Sequence, residues 1–279
     1  MLTGAAVAHG HQERRYLKAV KYGMVRVGKT VLDRFQAAKR IGFDGIEVHR
    51  PSQIPISELK EASRRTGLPI HGVICSAHWR YPLSHADPAV RARCRRALEQ
   101  AIRDAAELGA TSVLLVPAVV NKQIPYDAAY KRSQEEIRKV IPVAEEQRVK
   151  VLFENVWNHF LLSPLEFAHY VDEFDSSAVG VYFDVGNVVN YGWPEQWIRI
   201  LGKRIGKLDI KEYSRKKRDR EGLWRGFQVE IGEGDCDWPA VRRALEEVGY
   251  AGWCTAEVPG GDEKRLRAIL DRMNKVLPG

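Results

Sequence analysis

Ile41-Gly-Phe-Asp-Gly-Ile46, Leu108-Gly-Ala-Thr-Ser-Val113 and Val248-Gly-Tyr-Ala-Gly-Trp253 are one phrase written three times. In each, an amphipathic stretch stops at a glycine and an apolar stretch begins within a few residues. Glycine enters the left-handed conformation that closes a helix without steric cost, so the phrase reads as a helix end followed at once by a strand. Outward from these points the sequence predicts strands at 20–25 (VKYGMV), 45–49 (GIEVH), 69–75 (PIHGVIC), 112–117 (SVLLVP), 150–155 (KVLFEN), 179–184 (VGVYFD), 206–212 (GKLDIKE) and 252–257 (GWCTAE). Several are apolar on both faces, as a sheet covered by helices requires. The helices between them carry their own punctuation. Thr30 opens one that runs to Arg40 before Gly42. Asp87-Pro88 opens another, whose Val90, Cys94, Leu98, Ile102 and Ala105 recur at helical spacing until Gly109. Ser163-Pro164, Trp193-Pro194 and Asp237-Trp-Pro239 place proline in or near a first turn, and a last helix is expected at 263–276. Eight alternating strand–helix units predict an α/β chain closed into a (β/α)8 barrel. An open doubly wound sheet is the alternative, but no GxGxxG follows the first strand to mark a dinucleotide site.

With 279 residues, 44% of them hydrophobic, the chain can bury one large core. The expected organisation is a single catalytic domain over 18–279 behind an N-terminal extension, 1–17. No apolar run reaches the ~18 residues of a membrane span, and the first fifteen residues carry histidines and charges instead of a signal peptide's apolar core. A cytoplasmic protein with no membrane partner is the expectation. Cys75, Cys94, Cys236 and Cys254 are far apart with no CxxC pair, so they read as reduced thiols. The net charge is +8, and Lys211 to Arg225 alone holds seven basic residues against three acids. Such a segment suits an anionic partner, or serves only as a solvated loop.

In barrels of this kind chemistry gathers at the C-terminal ends of the strands. Four acids stand there on four consecutive strands: Glu154, Asp184, Asp209 and Glu257. Any one of them, alone, reads as a salt-bridge partner or helix cap, and Lys207, Lys211 and Arg215 could neutralise some. Their recurrence at corresponding strand positions points elsewhere. Unpaired buried carboxylates are costly, so four that converge imply a cation.

At these residues the chain resembles the sugar phosphate isomerase/epimerase family of xylose isomerase-like TIM barrels, in its ketose 3-epimerase and hexulose-6-phosphate isomerase-like branch. The resemblance runs from about Lys18 onward. It is carried by Glu154-Asn-Val-Trp-Asn-His-Phe-Leu-Leu-Ser-Pro-Leu-Glu, Tyr182-Phe-Asp-Val-Gly-Asn, Trp197-Ile-Arg-Ile-Leu-Gly-Lys-Arg-Ile, and Gly232-Glu-Gly-Asp-Cys-Asp-Trp-Pro with the downstream Glu257. It implies a divalent ion, usually manganese, held by Glu154, Asp184, Asp209 and Glu257. The family commonly has histidine where this chain has Asp209. Four anionic ligands sum to −4 bare and −2 occupied, and oxygen-only coordination favours Mg²⁺ or Mn²⁺ over zinc.

The resemblance further implies 3-epimerisation of a ketose or ketose phosphate through a cis-enediolate, with Glu154 and Glu257 exchanging the proton on opposite faces. Aldose–ketose isomerisation and dehydration share that intermediate. Glu47, His71, Trp157 and Asn187 are candidate substrate contacts, as is His78 at the end of the third strand. Arg215, with Lys216 and Lys217, is a candidate phosphate contact after strand seven. Glu47 could equally pair with Arg50. Two other classes compete: a non-catalytic or metal-free sugar-binding barrel that has lost the family histidine, and a DNA-repair endonuclease IV-like enzyme. The second expects a histidine-rich three-metal site, whereas Asn187 and Asp209 are not histidines, so no nucleic-acid partner is expected. Trp79, Trp193 and Trp224 suit an interface or a lid, and relatives often form homodimers or homotetramers.

Overall fold

The computed structural model describes residues 15–279, so nearly all of the expected extension 1–17 lies outside the described residues. Eight parallel strands close on themselves in sequence order: β1 Tyr16–Lys21, β2 Gly45–Arg50, β3 Ile70–Cys75, β4 Ser112–Leu115, β5 Lys150–Glu154, β6 Val179–Asp184, β7 Ile205–Ile210 and β8 Gly252–Ala256. β1 pairs with both β2 and β8, which is the closure that the eight-unit reading predicts. Each crossover packs helix against sheet, and one continuous apolar core fills the layer between them.

Local capping chemistry explains why the helices begin and end where they do. Thr30 and Asp33 form a reciprocal capping box, and Gly42 ends that helix, Val31–Ile41, with φ +111°. Asp87 caps the helix Pro88–Leu108, which stops at Gly109. Ser163 and Asp237 cap the helices that begin at Pro164 and Trp238. The closing helix is Glu263–Val276, as its periodicity predicts. All four cysteines are buried free thiols.

The first strand is displaced from its expected place. Residues 20–25 look the more strand-like, but Tyr22–Met24 form a 3₁₀ turn and the strand is Tyr16–Lys21. The apolar density of VKYGMV hid a strand that holds two buried lysines, Lys18 and Lys21. This shift carries Lys21 to the strand's last position, at the C-terminal end of the barrel. The basic segment differs too: Arg215–Glu221 is a helix capped by Ser214, not a loop. Among the described residues, no helix is long and apolar enough to cross a membrane.

Candidate active site

Register brings the four acids together. Glu154 and Asp184 are the last residues of β5 and β6, and Asp184 stands directly beside Asp209 of β7. Val20 pairs with Ala256, so Glu257, one residue on, falls beside Lys21. One oxygen from each of Glu154, Asp184, Asp209 and Glu257 lies within 4.8 Å of the others. The first three are buried, and the Glu257 side chain keeps about a third of its exposure.

Two ammonium groups share the cup. Lys21 Nζ stands 2.9 Å from Asp209 Oδ2 and 2.6 Å from Glu257 Oε1. Lys211 Nζ stands 2.9 Å from Asp184 Oδ2 and 2.6 Å from Glu257 Oε2. Both Glu257 oxygens are therefore engaged, whereas Asp209 Oδ1 has no hydrogen-bond partner among the described residues. Of the three bases that the sequence offered as neutralising partners, Lys211 takes that role in the cup. Lys207 lies lower in the barrel, beside Glu47, and Arg215 points elsewhere. Lys21 is the participant that sequence reading missed. Its only signal was a lysine at a strand end, and the strand itself was misplaced.

The charge states follow from these contacts. Burial works to raise Glu257, but Lys21 and Lys211 outweigh it and hold its carboxyl well below the usual range. Burial raises Glu154 well above its ordinary value, and the negative charge of Glu257 adds to the effect. Burial also raises Asp209, against the pull of Lys21, and moves Asp184 up to about 6, against Lys211. With all groups ionised the cup sums to −2, four carboxylates against two ammonium ions.

A second polar layer lies beneath. Glu47 Oε1 accepts from the Tyr182 hydroxyl at 3.0 Å, Tyr182 meets Thr255 Oγ1 at 2.8 Å, and Thr255 meets His71 Nε2 at 3.2 Å. Lys207 donates to the His71 carbonyl, and the His71 ring stacks on Trp253 with centroids 4.5 Å apart. Gly72 makes room for this layer, since a Cβ there would stand 2.7 Å from Glu47 Oε1. Burial brings Lys207 down to about 8, against the opposing pull of the Glu47 charge. Glu47 and His71 are thus buried supports below the cup and do not reach the cleft. Arg50, offered as an alternative partner of Glu47, pairs with Asp104 instead.

The cleft above the cup has a volume of about 360 Å³. Trp79, Trp157, Trp224, Phe227, Val258 and Pro259 wall it, with Glu154, Asn187, Lys211 and Glu257 at its floor. A smaller recess of about 190 Å³ adjoins it and is lined by Lys21, His49, Ser76 and His78; the two share Trp79, Glu154 and Glu257. Trp157 and Asn187 line the cleft, and each is also tied down. Trp157 Nε1 donates to the Asn187 carbonyl at 2.8 Å, and Asn187 Nδ2 donates to the Asn155 carbonyl. Asn155 in turn brackets the Asp184 backbone, accepting from its N–H and donating to its carbonyl, both at 2.8 Å. His78 Nδ1 accepts from Val116 N–H, and burial lowers the ring to about 3, so it is a neutral donor through Nε2.

Arg215 does not line the cleft. Its guanidinium donates to the Val189 and Gly192 carbonyls and lies over the Trp193 ring. Arg218 binds Asn190 and Asp219, and Lys217 faces Glu221. The basic segment spends much of its charge holding its own neighbourhood together.

A family model described as the xylose isomerase-like TIM barrel matches residues 35–276. The L-ribulose-5-phosphate 3-epimerase UlaE of Escherichia coli strain K12 is 26% identical over 262 residues, covering 86% of this chain and 88% of that protein. Two solved structures share the fold. The D-allulose 3-epimerase of Methylomonas sp. has a TM-score of 0.76 at 18% identity, over 95% of this chain and 99% of that one. The 3-keto-D-glucoside 4-epimerase YcjR of E. coli has a TM-score of 0.75 at 18% identity, over the same shares.

Proposed function

The chain belongs to the xylose isomerase-like TIM barrel family, and from that premise we propose that it is a divalent-metal-dependent epimerase acting at C3 of a ketose. Sugar isomerase/epimerase chemistry agrees with its named relatives. The observation that carries the reading is the convergence of four carboxylates under an aromatic-walled cleft at the C-terminal mouth. The donor set suits a hard cation. It is all oxygen, and Asp209 Oδ1 is buried without a hydrogen-bond partner among the described residues. Glu154, Asp184, Asp209 and Glu257 would hold Mg²⁺ or Mn²⁺, which supplies a Lewis acid for the negative charge that develops on the substrate's carbonyl oxygen.

The chain's own residues do the rest. One of Glu154 and Glu257 takes the proton from C3, and the C–H electron pair moves toward the C2 carbonyl to give the enediolate. The other returns a proton to the opposite face of C3, inverting it. Asn155 and Asn187 fix Asp184, and Trp157 and Trp224 offer flat faces to the sugar's C–H surface. The test is deuterium exchange from solvent into a panel of ketoses, followed by NMR. Exchange at C3, lost on chelation and restored by Mg²⁺ or Mn²⁺, is the expected result. No exchange into any ketose refutes the reading, and exchange that survives chelation refutes its metal dependence.

The cleft also bears on the substrate's far end. Among the described residues, the lysines and arginines that line it or the recess are Lys21 and Lys211, and both are committed to carboxylates. A phosphate dianion meets tryptophan and proline there instead of an arginine fork. We therefore expect the free ketose to be the better substrate than its phosphate, by at least about tenfold in kcat/KM. The opposite order in paired assays would overturn this preference while leaving the C3 chemistry standing.

A further inference from the structure

We propose that Lys21 is a built-in cationic occupant of the carboxylate cup that competes with the divalent ion and sets how tightly the protein holds it. The proposal rests on the metal-dependent reading above and goes beyond it. Lys21 reaches the cup from β1, which pairs with β8 at the closure of the barrel, while the four acids come from β5, β6, β7 and the end of β8. Its Nζ touches two of the four candidate ligands, Asp209 and Glu257, and its side chain is nine-tenths buried. A positive charge fixed there repels an incoming dication and occupies oxygens that the dication would use. Both effects are strong in a buried site, where water screens little.

Geometry singles out Lys21 from Lys211. Lys211 also touches two of the ligands, Asp184 and Glu257, but it is tied in addition to Asn187 Oδ1, part of the scaffold that holds the β6 ligand in place. Lys21 divides Asp209 in two: Oδ2 is bound to the ammonium and Oδ1 is left without a partner among the described residues. The Lys21–Asp209 pair thereby presents one free acceptor oxygen with no net charge, as a neutral ligand would. Lys21 also lines the recess that joins the cleft, within reach of any ion entering from solvent.

The test is direct binding of Mn²⁺ to the full-length protein, by isothermal titration calorimetry and by electron paramagnetic resonance of the free ion. Lys21→Met and Lys21→Gln should each tighten Mn²⁺ binding by at least tenfold. Asp209→Asn, which keeps the lysine, should weaken it by at least tenfold. The double variant Lys21→Met/Asp209→Asn restores the cup's net charge and should return toward wild-type affinity. Thermal unfolding of each variant establishes that the barrel is intact, and the glutamine variant covers a methionine variant that fails to fold. Unchanged or weaker Mn²⁺ affinity in the Lys21 variants overturns the proposal and leaves the metal reading intact. Failure of the wild type and of both Lys21 variants to bind Mn²⁺ at millimolar concentration overturns both.

Discussion

Glu154→Gln and Glu257→Gln should each lower turnover by roughly 10²- to 10⁴-fold, the range that a positioned proton carrier contributes. The amide keeps the shape of the carboxyl and removes the proton exchange. The two variants part company in stability. Glu257 joins both lysines, so its loss leaves two buried ammonium groups short of a partner, and the variant should melt at a lower temperature than wild type. Glu154 takes part in none of the ion pairs seen among the described residues, and desolvation already works against its charge. Glu154→Gln should therefore unfold close to the wild-type temperature while being as inactive as Glu257→Gln. Rates measured by C3 deuterium exchange, beside circular dichroism melts, separate the two effects. Wild-type turnover in both variants would remove these glutamates from the chemistry.

What the sequence made legible is what local chemistry determines. A capping threonine, a proline in a first turn and a glycine after a last turn act over four or five residues, so the helix limits at Thr30, Asp87 and Asp237 follow from neighbours in the chain. The four acids were legible for a related reason: β-strand ends repeat around a barrel, and the family's motifs mark the same positions. Lys21 was not legible, because its partners lie 188 and 236 residues away and become neighbours only when β8 closes on β1. The spacing Lys207, Asp209, Lys211 offered both lysines as neutralising partners for the acids. Nothing in it said that the middle one would be paired from another strand. The basic segment misleads for the converse reason, since composition counts charges without saying that Arg215 spends its own on the carbonyls of Val189 and Gly192.

Glu212 was another residue hidden by distance, and replacing it should give the largest loss of stability. Its carboxylate is buried just beyond β7 and accepts four hydrogen bonds. Oε1 takes the Tyr213 and Cys236 N–H groups at 3.1 and 3.2 Å, and Oε2 takes Gly232 N–H and Trp238 Nε1 at 2.8 Å each. This explains the Gly232-Glu-Gly-Asp-Cys-Asp-Trp-Pro motif physically. Its backbone wraps around one carboxylate so closely that a Cβ at Gly234 would stand 2.6 Å from Glu212 Oε1. Alanine at 212 strands four donors, and glutamine sets an NH₂ against two of them. Either change should cost about 3 to 5 kcal/mol, as for one partner removed from a buried charged network. That corresponds to a fall of roughly 10 °C in melting temperature for a domain of this size. The cost reaches the cleft as well, because Tyr213, next in sequence, packs against Trp157 and Phe227, which wall it. Glu212→Gln should therefore raise KM for the ketose more than it lowers kcat. A melting temperature within a degree of wild type would mean that the segment is held by its other contacts and that the carboxylate is dispensable.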